Sequence, residues 1–299
     1  VTLTVDDLVG SPKFIPALQL LASEMRNRYD GNPRLSRLLA SHQRWMLTQA
    51  AFALHIEYDP NLPSSGLTTT RLKDIILSVD AASRNTVLNY LDQLQTYRFL
   101  RIAGEPGRRP RRFEATDVSV NAMFGWVAVN LAALDQIDNG DRCPYFIANP
   151  GMFRLLQPRI AYRCIDDVRW REPPARVALF LWTEAGGLVM DELVIRVSPD
   201  AVYKDRIDIG RIDARQMAND FMMSRTHLQR LLRKAMDQGS LVWQDSERKS
   251  DMWLTGDYLH EYCGWQAVKF AIVDDSFEWA KREYSPSALP MERLSSRTA

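Results

Sequence analysis

Apolar residues recur at helical spacing through most of the chain, and in two places that period gives way to short extended stretches. Phe14 to Tyr29 carries Leu18, Leu21, Ala22 and Met25 on one face. Arg34 to Ile56 carries Leu38, Leu39, Trp45, Met46 and Phe52, so both spans predict amphipathic helices. Asp59-Pro60 and Pro63 to Gly66 end the second one in a loop. Leu72 to Leu77 predicts a short helix and Ser78 to Ala82 a break. Ser83-Arg84-Asn85-Thr86 then opens a helix whose stripe is Val87, Leu91 and Leu94, with Asn85, Asn89 and Asp92 facing outward. Phe99 to Ile102 reads as a strand, Gly104 to Gly107 as a turn, and Phe113 to Thr116 as the return strand. Val118 to Ile137 is a strongly apolar helix, followed by a connector at Asn139 to Asp141 and Pro144 to Gly151.

The second half follows the same plan. Met152 to Val168 and Pro174 to Ala185 read as helices, while Leu188 to Val197 fits helix or strand. Ile212 to Asp220 and Ser224 to Gln238 form another helix pair, and Leu241 to Trp243, Asp245 to Asp251 and Met252 to Leu254 another hairpin. Tyr258 to Tyr284 is a long last helix, and Ser285 onward a polar tail expected to be disordered. Ser83-Arg84 matches Ser224-Arg225 at a shift of 141 (224 − 83), which pairs Val87 with Leu228, Leu91 with Leu232, Leu100 with Leu241 and Phe113 with Leu254. Gly125-Trp126 matches Gly264-Trp265 at 139 (264 − 125), so a two-residue adjustment is expected beyond the hairpin. The common order points to a tandem duplication.

Helix, turn, helix and hairpin in this order is the pattern of a winged helix, whose second helix lies in a DNA major groove while the hairpin touches the backbone or minor groove. Charge supports that reading locally. Five Arg and one Glu lie between Arg101 and Arg112, at the expected hairpin tip. The first recognition helix, Ser83 to Thr96, carries only Arg84 and Asp92. The second, Ser224 to Asp237, carries Arg225, Arg230, Arg233 and Lys234 against Asp237, a net of +3. Thr226, Arg230, Arg233 and Lys234 face away from the Leu228/Leu232/Ala235 stripe. The hairpins reverse the order, because Asp245 to Asp251 holds three acids against Arg248 and Lys249. Arg pairs bidentately with guanine, and Asn with adenine. The residues expected to contact DNA are therefore Arg84, Asn85, Thr86 and Asn89, with Arg108, Arg109, Arg111 and Arg112 on the first wing. In the second half they are Ser224, Arg225, Thr226, His227, Arg230, Arg233 and Lys234, with Arg248 and Lys249 on the wing.

Composition narrows the classes. The 299 residues are 46% hydrophobic and 25% charged, enough for two units, and the net charge of +1 leaves any DNA attraction to local patches. Cys143, Cys164 and Cys263 are far apart and odd in number, which fits neither a disulfide framework nor a zinc site and suits a reducing cytoplasm. No apolar run reaches membrane-spanning length, Trp45 to Ile56 coming nearest, and Val1 to Asp7 is neither basic nor a signal core. His42, His55, His227 and His260 are scattered, and no His-Glu-x-x-His, Gly-x-Ser-x-Gly or phosphate-cradling loop occurs, so neither a catalytic site, a cofactor nor a metal is expected. Asp166-Asp167 and Asp274-Asp275 read as helix-surface or capping residues.

The order of elements, with Ser83-Arg84-Asn85-Thr86-Val87 and Ser224-Arg225-Thr226-His227-Leu228 as the closest local matches, resembles the MarR-type winged-helix regulators. Ser224 to Leu232 also resembles helix-turn-helix segments of AraC-type proteins. The MarR resemblance implies paired helices holding two wings across a two-fold DNA site. Both copies lie in one chain here, so it implies a pseudo-dimer, monomeric as a chain, with the helices around Trp126 and Trp265 packed at its base. It also implies a pocket for a small-molecule effector, whose ligand no residue nominates. The expected fold is mainly α with small β-hairpin wings: two tandem winged helix-turn-helix units related by pseudo-two-fold symmetry, 1–140 and 141–284, with a tail at 285–299. The expected function is that of a sequence-specific double-stranded DNA-binding transcriptional regulator. A plasmid-type replication initiator with two winged helices and a winged-helix protein-interaction scaffold are the alternatives.

Overall fold

Two three-stranded antiparallel sheets are set among helices that make up most of the chain, so the fold is mainly α. The computed structural model describes residues 2–31, 41–62, 64–104, 110–183, 185–198, 204–245, 247 and 251–285. The first half runs α1 (Val5–Gly10), α2 (Phe14–Gly31), α3 (His42–Ile56), β1 (Leu67–Thr68), α4 (Thr69–Ser78), α5 (Arg84–Thr96), β2 (Leu100–Ala103), β3 (Arg112–Ala115) and α6 (Asp117–Asp138). The second half runs α7 (Arg142–Ala148), a 3-10 turn at Pro150–Met152, α8 (Phe153–Asp166), α9 (Val168–Arg171), α10 (Ala175–Leu181) and α11 (Gly186–Ile195). It continues with β4 (Arg206–Arg211), α12 (Ala214–Asp220), α13 (Arg225–Asp237), β5 (Leu241–Trp243), β6 (Asp251–Thr255) and α14 (Gly256–Glu283). The strand orders are β1-β3-β2 and β4-β6-β5, so in each half the strand before the long helix is central.

The halves repeat one another in their hydrogen bonds. Ser83 and Ser224 cap α5 and α13 by accepting from the Thr86 and His227 amides at 3.2 and 3.1 Å. After each helix a residue at positive φ (Arg98, Gly239) turns the chain, and the next amide (Phe99, Ser240) donates 2.8 Å back to the helix (Leu94, Ala235). Each of these pairs differs by 141. Thr116 and Thr255 stand at the N-caps of α6 and α14 and bond the first strand's approach through both amide and hydroxyl, at a difference of 139 (255 − 116). The register shows where the shift changes: Leu100 pairs with Ala115, and Leu241 pairs with Leu254. Ala115, not Phe113, is therefore the counterpart of Leu254. The gap-free match through the hairpin is corrected, because the second hairpin itself is two residues shorter.

Helices from opposite halves interlock. α2 packs on α11 of the second half and α8 on α3 of the first, while α1 lies on α14 and α7 on α6. Gln19 of α2 donates to the carbonyls of Val194, Ile195 and Val197 at the end of α11, and Gln157 of α8 donates 3.0 Å to the Gln49 side chain of α3. One cluster of buried residues runs from Leu8 to Ala280. At its centre α6 meets α14.

Several local expectations change. Leu188 to Val197 resolves as helix, within α11, and the Pro144 to Gly151 connector contains part of α7, pinned by fully buried Phe146. α3 begins at His42, capped by Ser41; residues 34–40 and the tail from 286 lie outside the described residues. α6, with 22 residues and mean hydropathy 1.3, is long and apolar enough to cross a membrane by composition, contrary to the expectation that no run is. Its Val127, Leu131 and Leu134 are buried in the protein, against neighbours that include α2, α7 and α14. Asp274 is not a surface residue. It is fully buried on α14, accepting from the Leu3 amide at 2.7 Å and from Arg142 Nε at 2.6 Å. Arg142 reaches Asp138 with its other nitrogens, and its own amide donates 2.9 Å to Asp135. Leu3 to Arg142 and Asp135 to Asp274 are both steps of 139, so each carboxylate receives the corresponding amide of the half-repeat packed on it.

Candidate nucleic-acid interface

α5 and α13 each follow a short helix, start at a serine cap and bury one stripe. Val87, Tyr90, Leu91 and Leu94 hold α5 down, and Leu228, Leu231, Leu232 and Ala235 hold α13. Tyr90 lies outside the expected stripe and hydrogen-bonds Thr48 of α3 through its hydroxyl. On the opposite faces Arg84, Asn85 and Asn89 are exposed on α5, and Arg225, Thr226, Arg230, Arg233 and Lys234 on α13. Thr86 is half-buried with its hydroxyl 2.9 Å from that of Ser83. Ser224 is exposed but occupied as a cap. His227 is half-buried, its Nδ1 lying 3.5 Å from Arg230 Nη2. The charge difference between the two helices therefore becomes a difference between two exposed faces.

On the first hairpin, Arg111 is exposed. Arg112 departs from the expectation of a free tip residue: its guanidinium stacks 3.7 Å from the Tyr58 ring centre and donates 2.8 Å to Glu114. Arg101, across the sheet, also pairs with Glu114, which holds that carboxyl below its ordinary range against the cost of burial. Gly66 (φ +84°) lies under the same stack, where a Cβ would come within 3.0 Å of Tyr58 and 3.1 Å of Arg112. Arg108 and Arg109 of the first hairpin, and Arg248 and Lys249 of the second, lie outside the described residues.

A cavity of about 430 Å³ lies beneath the first unit, between α3, α6, α11 and α14. Trp45, Trp126, Trp170 and Trp265 line it, Trp170 and Trp265 being stacked at 4.0 Å and nearly parallel. His42 and His55 also line it, and burial lowers both to about 4, so both are neutral. Two charged residues reach it from the second half. Lys269 is 4% exposed, and burial pulls its ammonium down to about 7; burial pushes Asp191 up to about 7. Neither makes a hydrogen bond or an ion pair among the described residues. The sequence reading missed both, although a lone lysine in the apolar run Val268-Lys269-Phe270 was a visible signal. The sequence matches no protein-family model, and comparisons with curated proteins and with solved structures return no match.

Proposed function

We propose that the chain is a sequence-specific double-stranded DNA-binding regulator in which two winged helix-turn-helix units, arisen by tandem duplication, act as a pseudo-dimer. The observation that carries this reading is the pair of serine-capped helices, each anchored by a buried stripe and each presenting exposed Arg, with Asn on α5 and Lys on α13, on its free face. The reciprocal packing of α2 on α11 and α8 on α3 supports the pseudo-dimer, since each half completes the other as two subunits would. The resemblance to MarR-type regulators belongs to the same proposal. α13 would grip through Arg230, Arg233 and Lys234; the first unit would read bases through Asn85 and Asn89, with phosphate contacts from the arginines of its wing.

Selection of bound duplexes from a random DNA pool tests the proposal. A single preferred site with two unlike halves about one helical turn apart is the expected result. No enrichment of any duplex would overturn it in favour of a protein-interaction role, and enrichment of iterated repeats would favour replication-initiator function.

A further inference from the structure

Each pair of helices ahead of a hairpin, α4–α5 and α12–α13, is touched from the half it does not belong to. α2 lies on α11 with Gln19 against the last carbonyls of that helix. Arg26 stands two turns further along the same face and reaches past α11 to α12. Its Nη2 lies 3.7 Å from Asp220 Oδ2 and its Nη1 4.0 Å from Glu192 Oε2. The guanidinium also sits 4.5 Å above the centre of the buried Phe221 ring, at the turn between α12 and α13. Glu192 is shared with Arg196 Nε at 2.9 Å, and Arg196 Nη1 donates 2.9 Å to the Arg211 carbonyl at the end of β4. On the other side, Tyr162 of α8 donates 2.7 Å to Glu57, the residue after α3. Glu57 also lies 3.8 Å from Arg71 in the first turn of α4, and Arg71 donates 3.0 Å to the Gly66 carbonyl before β1. Burial, with the Glu57 carboxylate beside it, pushes the Tyr162 hydroxyl up, so it stays a donor.

The two contacts are placed alike and charged in reverse. A step of 139, which takes Phe14 to Phe153 and Asn130 to Lys269, also takes Glu57 to Arg196 (196 − 57). The residue after α3 is thus a carboxylate and the residue after α11 a guanidinium. Each holds the backbone that leads into the following helix pair, through Arg71 in one half and directly in the other. The side chains of Arg26, Glu192, Asp220, Glu57 and Arg71 are 24% to 37% exposed, so these ties add little to overall stability. We infer that Arg26 and Tyr162 are positioning residues acting across the halves, an inference that rests on the DNA-binding reading. Arg26 sets how α12 and α13 present to DNA, and Tyr162, through Glu57 and Arg71, sets how α4 and α5 do. The buried stripes fix the packing inside each pair, whereas contacts to the helices beneath fix its orientation. Because each tie comes from the opposite half, a shift of α2 on α11 or of α8 on α3 moves the seat of the pair on the other side.

Hydrogen–deuterium exchange of the full chain, followed by affinity for all single-base variants of the duplex selected from a random pool, tests this. Arg26→Gln should speed exchange in α12 and α13 about two- to fivefold and leave α4 and α5 unchanged. Tyr162→Phe should do the reverse, by about three- to tenfold. Arg26→Lys, which keeps the charge, should recover most of the first effect. On DNA, Arg26→Gln should relax base preference about two- to fivefold in the half-site that Arg230→Ala relaxes, and Tyr162→Phe in the half-site that Asn85→Ala relaxes. Exchange that rises in both pairs, in the pair of the same half, or in neither would overturn the inference. So would crossed exchange with base preference kept by both variants, and in each of these cases the DNA-binding reading would stand. An unaltered chain that bound no duplex would overturn that reading and take the positioning role with it.

Discussion

In the first half the helix after the turn, α5, presents Arg84, Asn85 and Asn89, and the long helix behind it leaves a cavity. In the second, α13 presents Arg225, Arg230, Arg233 and Lys234, and the long helix behind it carries the buried Tyr258 and Tyr262. The caps, the turn bonds and the strand order beneath these surfaces are shared. Backbone hydrogen bonds fix the frame, because a buried amide must be satisfied whichever surface is built on it. The outward faces and the core-filling residues are less constrained. In a single chain either half is free to change them without changing the other.

The largest effect expected from breaking this arrangement is at Arg142, where the two halves are tied by buried charge. Its side chain is 9% exposed and that of Asp274 0%. Arg142→Met strands a buried carboxylate, which costs about 3–5 kcal/mol when one partner of such a pair is removed. Urea unfolding should show this loss, and Arg142→Met with Asp274→Asn should recover part of it. Equal stability of the single and double variants would mean that the loss of Arg142 does not strand the Asp274 carboxylate.

Next in size is a pH effect that separates Lys269 from its counterpart Asn130. Lys269 is faced by Asp191 on α11 and Cys164 on α8, with Arg28 and His42 also on the cavity wall. Its folded value, about 7, is below its ordinary 10.5. Between these values the unfolded chain holds a proton that the folded chain has released, so stability rises with pH across that window. Asp191 has the opposite sign. Its folded value of about 7 exceeds the ordinary 3.8, so the folded chain keeps a proton and stability falls as pH rises from about 4 to 7. Lys269→Met should remove a rise on the order of a few kcal/mol on the alkaline side, and Asn130→Met should leave the slope unchanged. Unfolding midpoints from pH 5 to 10 for the three proteins decide it. Parallel curves would show that Lys269 does not carry the slope.

The exposed faces give the third contrast. If Arg230 makes a bidentate guanine contact, Arg230→Ala should cost about 1–3 kcal/mol in DNA affinity and relax preference in one half-site. Asn85→Ala should relax the other. Binding measured over all single-base variants of the selected site distinguishes them. A palindromic site affected equally in both halves by Arg230→Ala would show two chains presenting the same copy.

The two helix pairs and their outward faces were legible because a serine cap followed by an apolar stripe is local information. Val87 and Leu228 fell on the buried side as the spacing required. Strand β1 was not legible. Leu67-Thr68 is two residues long and becomes a strand only by pairing with Phe113 and Arg112. Asp274 resembled any surface carboxylate, since its partner Arg142 is 132 residues away in sequence. Arg112 looked like the arginines beside it, but Glu114 and Tyr58, the latter 54 residues earlier in the chain, take it out of the cluster. The hairpin difference was read as lying beyond the strands because side-chain similarity, unlike backbone register, did not locate the missing pair of residues.

The smallest contrast lies at the turn after α5 and after α13, where the first half uses Arg98 and the second Gly239 for the same left-handed backbone, at φ 58° and 70°. A residue with a Cβ pays about 1–2 kcal/mol in that region, whereas glycine avoids this but loses about 0.5–1 kcal/mol more conformational freedom on folding. The difference favours glycine, so Arg98→Gly should stabilise the protein by up to about 1 kcal/mol and Gly239→Ala should destabilise it by a similar amount. Nothing within 4 Å would meet a Cβ on Gly239, so that loss would come from the backbone rather than a clash. Arg98 is exposed, and its removal leaves the bond from the Thr116 hydroxyl to the Arg98 carbonyl in place. Thermal unfolding of the two variants checks the pair. Destabilisation by Arg98→Gly would mean that the arginine side chain contributes a contact worth more than the strain, and the two turns would then be equivalent in shape but not in what holds them.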